Sequence, residues 1–123
     1  MTPAPARPEP TRPEPVLLDR AHLAAQTFDD ADLAREVLEL FREQMRRLRP
    51  LVAGAGDATA RIDAAHTLKG SARGVGAARV AACAEDCEHA LRSGAPASDA
   101  VARLERALAE TDAEIARRLE TGR

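Results

Sequence analysis

Between Leu33 and Leu48 the apolar residues Leu33, Val37, Leu40, Phe41, Met45 and Leu48 recur at three- and four-residue spacing, with mostly charged residues between them. That period is the turn of an α-helix and not the two-residue alternation of a strand. The same signature returns at Val80, Cys83, Cys87 and Leu91, and again at Val101, Leu104, Leu108, Ile115 and Leu119. A helix with one apolar stripe must hide it against other elements, so several such helices require a bundle. Phe28 and Phe41 are the only aromatic residues, which leaves the core to Ala, Leu, Val and Ile. Small aliphatic cores suit closely approaching helices better than a β-sandwich. With 123 residues, 45% of them hydrophobic, the chain has enough material for one modest core and not for a second.

Capping residues and breakers predict the boundaries. Asp19 caps a short helix reaching Gln26, with Leu23 inward, and Asp29 or Asp30 caps the long helix that ends at Pro50. The sequence AGAG, Ala53 to Gly56, breaks the chain. Asp57 caps a third helix that passes through His66 to about Arg73, closed by the left-handed geometry available in Gly74–Gly76. A fourth runs from about Ala77 to Arg92 and stops at Ser93–Pro96; Ser98 or Asp99 caps the last. The expected fold is all-α: an up-and-down antiparallel four-helix bundle with a short extra N-terminal helix, over residues 16–121. Residues 1–15 hold most of the prolines and read as a disordered, polyproline-like tail. The stripes can be buried within one chain, so a monomer is expected.

Charged residues make up 31% of the chain but leave a net charge of only -2, giving no global field toward nucleic acid or an anionic membrane. No apolar run approaches the roughly 20 residues that span a bilayer, and no secretion-signal pattern opens the chain, so a soluble cytoplasmic protein is expected. Arg42, Arg46, Arg47 and Arg49 gather toward the C-terminal end of their helix, where cations complement its dipole. Cys83 and Cys87 read as reduced core residues; with His89 they match no common zinc spacing. No phosphate-cradling glycine loop for ATP, no serine beside a general base and no recognisable carboxylate pair occurs.

The stretch AHTLKGSARGVG, Ala65 to Gly76, breaks the rule that glycine is avoided within helices. At about 100° per residue, Thr59, Ile62, Asp63, Lys69, Gly70 and Arg73 share the side of His66, while Ala64, Leu68, Ser71 and Val75 lie opposite. Leu68 and the alanines make the core stripe, so His66 looks outward. An exposed neutral imidazole is a nucleophile suited to capturing a phosphoryl group. Lys69, one turn away, can neutralise phosphoryl oxygens, and Arg73, two turns away, is a weaker candidate. Gly70 removes the side chain beside the reacting nitrogen and lets another protein surface approach.

His66-Thr67-Leu68-Lys69-Gly70-Ser71, followed by Gly74-Val75-Gly76, resembles the motif of the histidine phosphotransfer (HPt) family of two-component phosphorelays. The resemblance extends over most of Val16 to Leu119, through VLLD, DLAREVLELF, GDA and CEHALRSG. It implies a four-helix phosphocarrier whose histidine takes a phosphoryl group from one receiver aspartate and passes it to another; the Ala- and Arg-rich usage separately suggests a bacterium with a GC-rich genome. Its partners would be receiver domains of response regulators or hybrid kinases. His66 matches the phosphoacceptor, Lys69 the phosphoryl-stabilising cation and Gly70 the small residue at the receiver-facing surface. By register Glu88 falls at the position that orients the imidazole in some relatives, where glutamine is also common. Ile62, with Thr59, Asp63 and Arg73, is the candidate receiver contact. The resemblance implies no cofactor on this chain, Mg²⁺ belonging to the receiver, and no autokinase activity. The competing reading is an unphosphorylated docking module that regulates receivers or kinases; a Cys/His metal bundle comes third.

Overall fold

The computed structural model describes residues 14–54 and 56–121. Five helices follow one another: α1 (Arg20–Gln26), α2 (Ala31–Ala53), α3 (Ala58–Val75), α4 (Ala78–Ser93) and α5 (Ser98–Thr121). α2 packs on α3 and α5, and α4 packs on the same two, so from α2 to α5 consecutive helices are neighbours and α5 closes on α2. Short connections between neighbours make them antiparallel, the up-and-down arrangement of a four-helix bundle. α1 lies against α3.

Three aspartates start helices as their position suggests. Asp19 accepts from the amide of His22, Asp30 from those of Asp32 and Leu33, and Asp57 from that of Ala60. Each satisfies amides that the first turn leaves without partners. The last helix departs from expectation: Ser98 and Asp99 lie inside α5, and the carbonyl of Ala97 accepts the first helical bond, from Val101. α3 also runs two residues beyond Arg73, through Gly74, and Gly76 alone takes the left-handed turn, at φ 83°.

α2 continues past Pro50 to Ala53. A proline removes one helical hydrogen bond, but the turn beyond it is held from outside. Val52 is 1% exposed in the core, and its carbonyl accepts from Nε of Arg61 at 2.9 Å. The buried face of α2 is Leu38, Phe41, Met45, Leu48 and Val52. Leu40, expected inward, is exposed, and Leu33 and Val37 sit at the margin. The centre of the core is Leu68, Val80, Cys87, Leu104 and Ile115, with alanines 65, 72, 77 and 84 at the close approaches. Cys83, Leu91 and Leu119 are only half-buried, although all three belong to predicted stripes.

Ion pairs tie the outer faces. Arg42 grips Asp112 across α2 and α5 at 2.7 Å, and Arg49 reaches Glu105 at 2.7 Å, so two of the four clustered arginines are structural. Arg79 holds the N-terminal approach, donating to the carbonyl of Pro15 and pairing with Glu110. The amide of Asp19 donates to the carbonyl of Gly76, which strings α1 across the α3–α4 turn. Of the proline-rich tail predicted for residues 1–15, positions 1–13 lie outside the described residues.

Candidate functional site

α3 turns its alanine and leucine face to the core, with Ala65, Leu68 and Ala72 at 0% exposure. His66, one residue on from Ala65, therefore projects outward, its side chain 62% exposed. Thr59, Asp63 and Gly70 are exposed on the same side and Ile62 is half-buried. Arg73 is exposed and turned toward Glu85 of α4 at 3.5 Å. The geometry thus gathers Thr59, Ile62, Asp63, His66, Gly70 and Arg73 on one open surface. A depression of about 360 Å³ at Asp19, His22, Arg73 and Glu85 does not reach His66.

The partner of the imidazole comes from α4. Glu88 is buried, and its Oε2 lies 3.1 Å from Nδ1 of His66. Lys69 donates from Nζ to the other oxygen, Oε1, at 2.6 Å. Arg92 donates from Nε and Nη2 to Oε2, at 3.1 and 2.9 Å. The hydrogen bond from Lys69 is the main reason the carboxyl is held at about 2, well below its ordinary value of 4.5; burial opposes it, and the bonds from Arg92 and His66 assist. An ionised carboxylate only accepts, so the hydrogen between it and the ring sits on Nδ1. In a neutral ring that tautomer leaves the lone pair on Nε2, the ring nitrogen directed away from Glu88.

Lys69 differs from expectation in one respect: its side chain is 15% exposed and bound to Glu88, not free beside the ring. The reason is the packing of α3 on α4, which places a carboxylate within reach of a long cation. Arg92 was not singled out in the sequence. Its signal is there in retrospect, as an arginine four residues after a glutamate on one helix, the favourable order for such a pair.

The two cysteines take no part. Cys87 is buried, and burial pushes its thiol up to about 11; burial also raises the half-buried Cys83. Among the described residues no group of three or more His, Cys, Asp or Glu side chains comes together as a metal site. His89 is exposed while Cys87 faces the core, so the Cys/His reading has no geometry behind it. Among the same residues, no helix is long and apolar enough to cross a membrane.

Comparison with known proteins adds two findings. Residues 32–114 match the family model described as the Hpt domain, more than half of the chain. The fold matches the crystal structure of histidine-containing phosphotransfer protein B from Pseudomonas aeruginosa PAO1, with a TM-score of 0.75 and 28% sequence identity, over 87% of this chain and 97% of that one. No match is found among curated protein sequences.

Proposed function

Because this chain belongs to the histidine phosphotransfer family, the phosphocarriers of two-component phosphorelays, we propose that Nε2 of His66 is the atom that receives the phosphoryl group and hands it on. The observation that carries the assignment is the pairing of an exposed imidazole with a buried, ionised carboxylate on its other nitrogen. Glu88 fixes the ring and keeps the proton on Nδ1, as partners behind a reacting imidazole do, so that Nε2 is the nitrogen presented for attack.

When the aspartyl phosphate of a receiver domain docks, the Nε2 lone pair attacks phosphorus. The N–P bond forms as the P–O bond to the receiver aspartate breaks, and the electron pair of that bond leaves with the aspartate carboxylate. No proton need move: Nδ1 keeps its hydrogen, and the positive charge gained by the ring is met by Glu88. Lys69, one turn from His66, is the cation assigned to the phosphoryl oxygens, which it meets by leaving Glu88; such transfer depends mostly on alignment and charge stabilisation. Transfer onward to a second receiver is the same step reversed. Gly70 leaves open the ground beside His66, and Thr59, Ile62, Asp63 and Arg73 supply the contact surface for the receiver.

In this reading the chain works as a monomer, without an ATP site or autokinase activity of its own. The Mg²⁺ that assists the reaction is held by the acidic pocket of the receiver. The test is transfer from a set of phosphorylated receiver domains to the wild-type protein and to His66→Gln. Acid-labile, base-stable label on the wild type alone is expected, with helix content equal in both because His66 faces solvent. Receivers that bind the wild type but leave it unlabelled would replace this reading by the docking module.

A further inference from the structure

Three groups compete for Glu88, and they do not share it evenly. Lys69 has Oε1 to itself, while Arg92 places two N–H groups on Oε2, the same oxygen that faces Nδ1 of His66. A glutamate carboxyl turns easily about its last torsion, where the energy wells are broad. With a donor fixed on each oxygen it cannot turn without breaking one of them.

Charge points the same way. The Glu88 side chain is 8% exposed, that of Lys69 15% and that of Arg92 58%. If Lys69 were the only counter-ion, moving it to a phosphoryl group would strand a buried carboxylate, which is strongly unfavourable. With Arg92 also in place, Glu88 keeps a full positive partner when Lys69 turns away.

We propose that Arg92 is a positioning residue for phosphotransfer: it holds Oε2 of Glu88 on the imidazole and neutralises that carboxylate, so that Lys69 is released to the phosphoryl group. This rests on the reading of His66 as phosphoacceptor. Arg92 also stands in the last turn of α4, where a cation complements the helix dipole. A purely structural arginine would affect stability and leave the transfer step alone.

The experiment is single-turnover transfer from a phosphorylated receiver domain, over a range of receiver concentrations, for wild type, Arg92→Ala, Glu88→Gln and the double variant, with His66→Gln as blank. Arg92→Ala is expected to lower the limiting rate by about fivefold, the upper end of what a half-exposed ion pair contributes, with the half-saturating receiver concentration unchanged. In the Glu88→Gln background the same substitution is expected to change the rate by less than about twofold, because the charge it serves is gone. In parallel, ¹⁵N spectra of the unphosphorylated protein report the ring tautomer, and Arg92→Ala is expected to lower the share of His66 protonated on Nδ1. Equal losses in both backgrounds, or a change confined to half-saturation, would overturn the proposal and make Arg92 a direct receiver contact. An unlabelled wild type would instead remove the phosphoacceptor reading, and the tautomer spectra would then decide alone whether Arg92 governs Glu88.

Discussion

Gly70 is a helix-interior glycine whose proposed reason, access for a receiver, lies outside the fold. A Cβ added at Gly70 would meet nothing within 4 Å, so no contact within the chain calls for glycine. Glycine in a helix interior costs about 1 kcal/mol relative to alanine. Gly70→Ala is therefore expected to raise stability by about 1 kcal/mol, read as a higher urea midpoint. Gly70→Leu should fold equally well yet slow transfer by about tenfold or more, by holding the receiver away from Nε2. Transfer at the wild-type rate by the leucine variant would remove the access role. His66 itself was legible from the sequence, because its direction follows from its angle to Leu68 on one helix. The links from Glu88 to Lys69 and Arg92 were not, since a cross-helix contact depends on how far α4 slides along α3.

At the scale of elements, the helix starts were readable and the ends less so. Asp19, Asp30 and Asp57 carry their capping chemistry locally, one side chain to an amide two or three residues on. Pro50 misleads because the last turn of α2 is kept by the packing that buries Val52 and by the bond from Arg61 of α3, neither of which can be read from the residues around the proline. Leu38 replaces Leu40 in the buried stripe of α2 because which margin of an apolar face goes inward is set by the neighbours α3 and α5, not by the stripe. The α3–α4 corner rests on one backbone conformation. Gly76 has φ 83°, and a Cβ there would stand 3.1 Å from the carbonyl oxygen of Asp19 and 3.3 Å from Cδ2 of His22. Gly76→Ala is expected to destabilise the protein by about 1–2 kcal/mol, the cost of a left-handed residue bearing a side chain. Since this corner also anchors α1 through the Asp19–Gly76 hydrogen bond, exchange of the Asp19 amide should quicken in the variant. Unchanged stability would show that the corner can relax into another turn.

For the molecule as a whole, a net charge of -2 conceals an organised set of opposite charges paired between helices. Arg42 with Asp112 ties α2 to α5, and Lys69 with Glu88 ties α3 to α4, so helix pairs on both sides of the bundle depend on ionised carboxylates. Glu88 is the more deeply placed, and the donors around it keep its carboxyl at about 2 instead of 4.5. A carboxyl with a lowered value in the folded chain favours folding fully above its ordinary value. As the pH drops from there toward about 2, the unfolded chain takes up a proton that the folded chain refuses, and that part of the stability drains away. Between pH 5 and pH 3 the loss attributable to Glu88 amounts to about 2 kcal/mol. Glu88→Gln cannot make this exchange, so it is expected to be less stable than wild type at pH 7 but to lose less as the pH falls. Asp112, also lowered by Arg42, contributes equally to both proteins and cancels. Urea unfolding of the two proteins at pH 7, 5 and 3 measures the difference. Parallel losses would mean that the carboxylate behind His66 is not held ionised by its three donors, and the fixed ring tautomer on which the transfer chemistry depends would lose its physical basis.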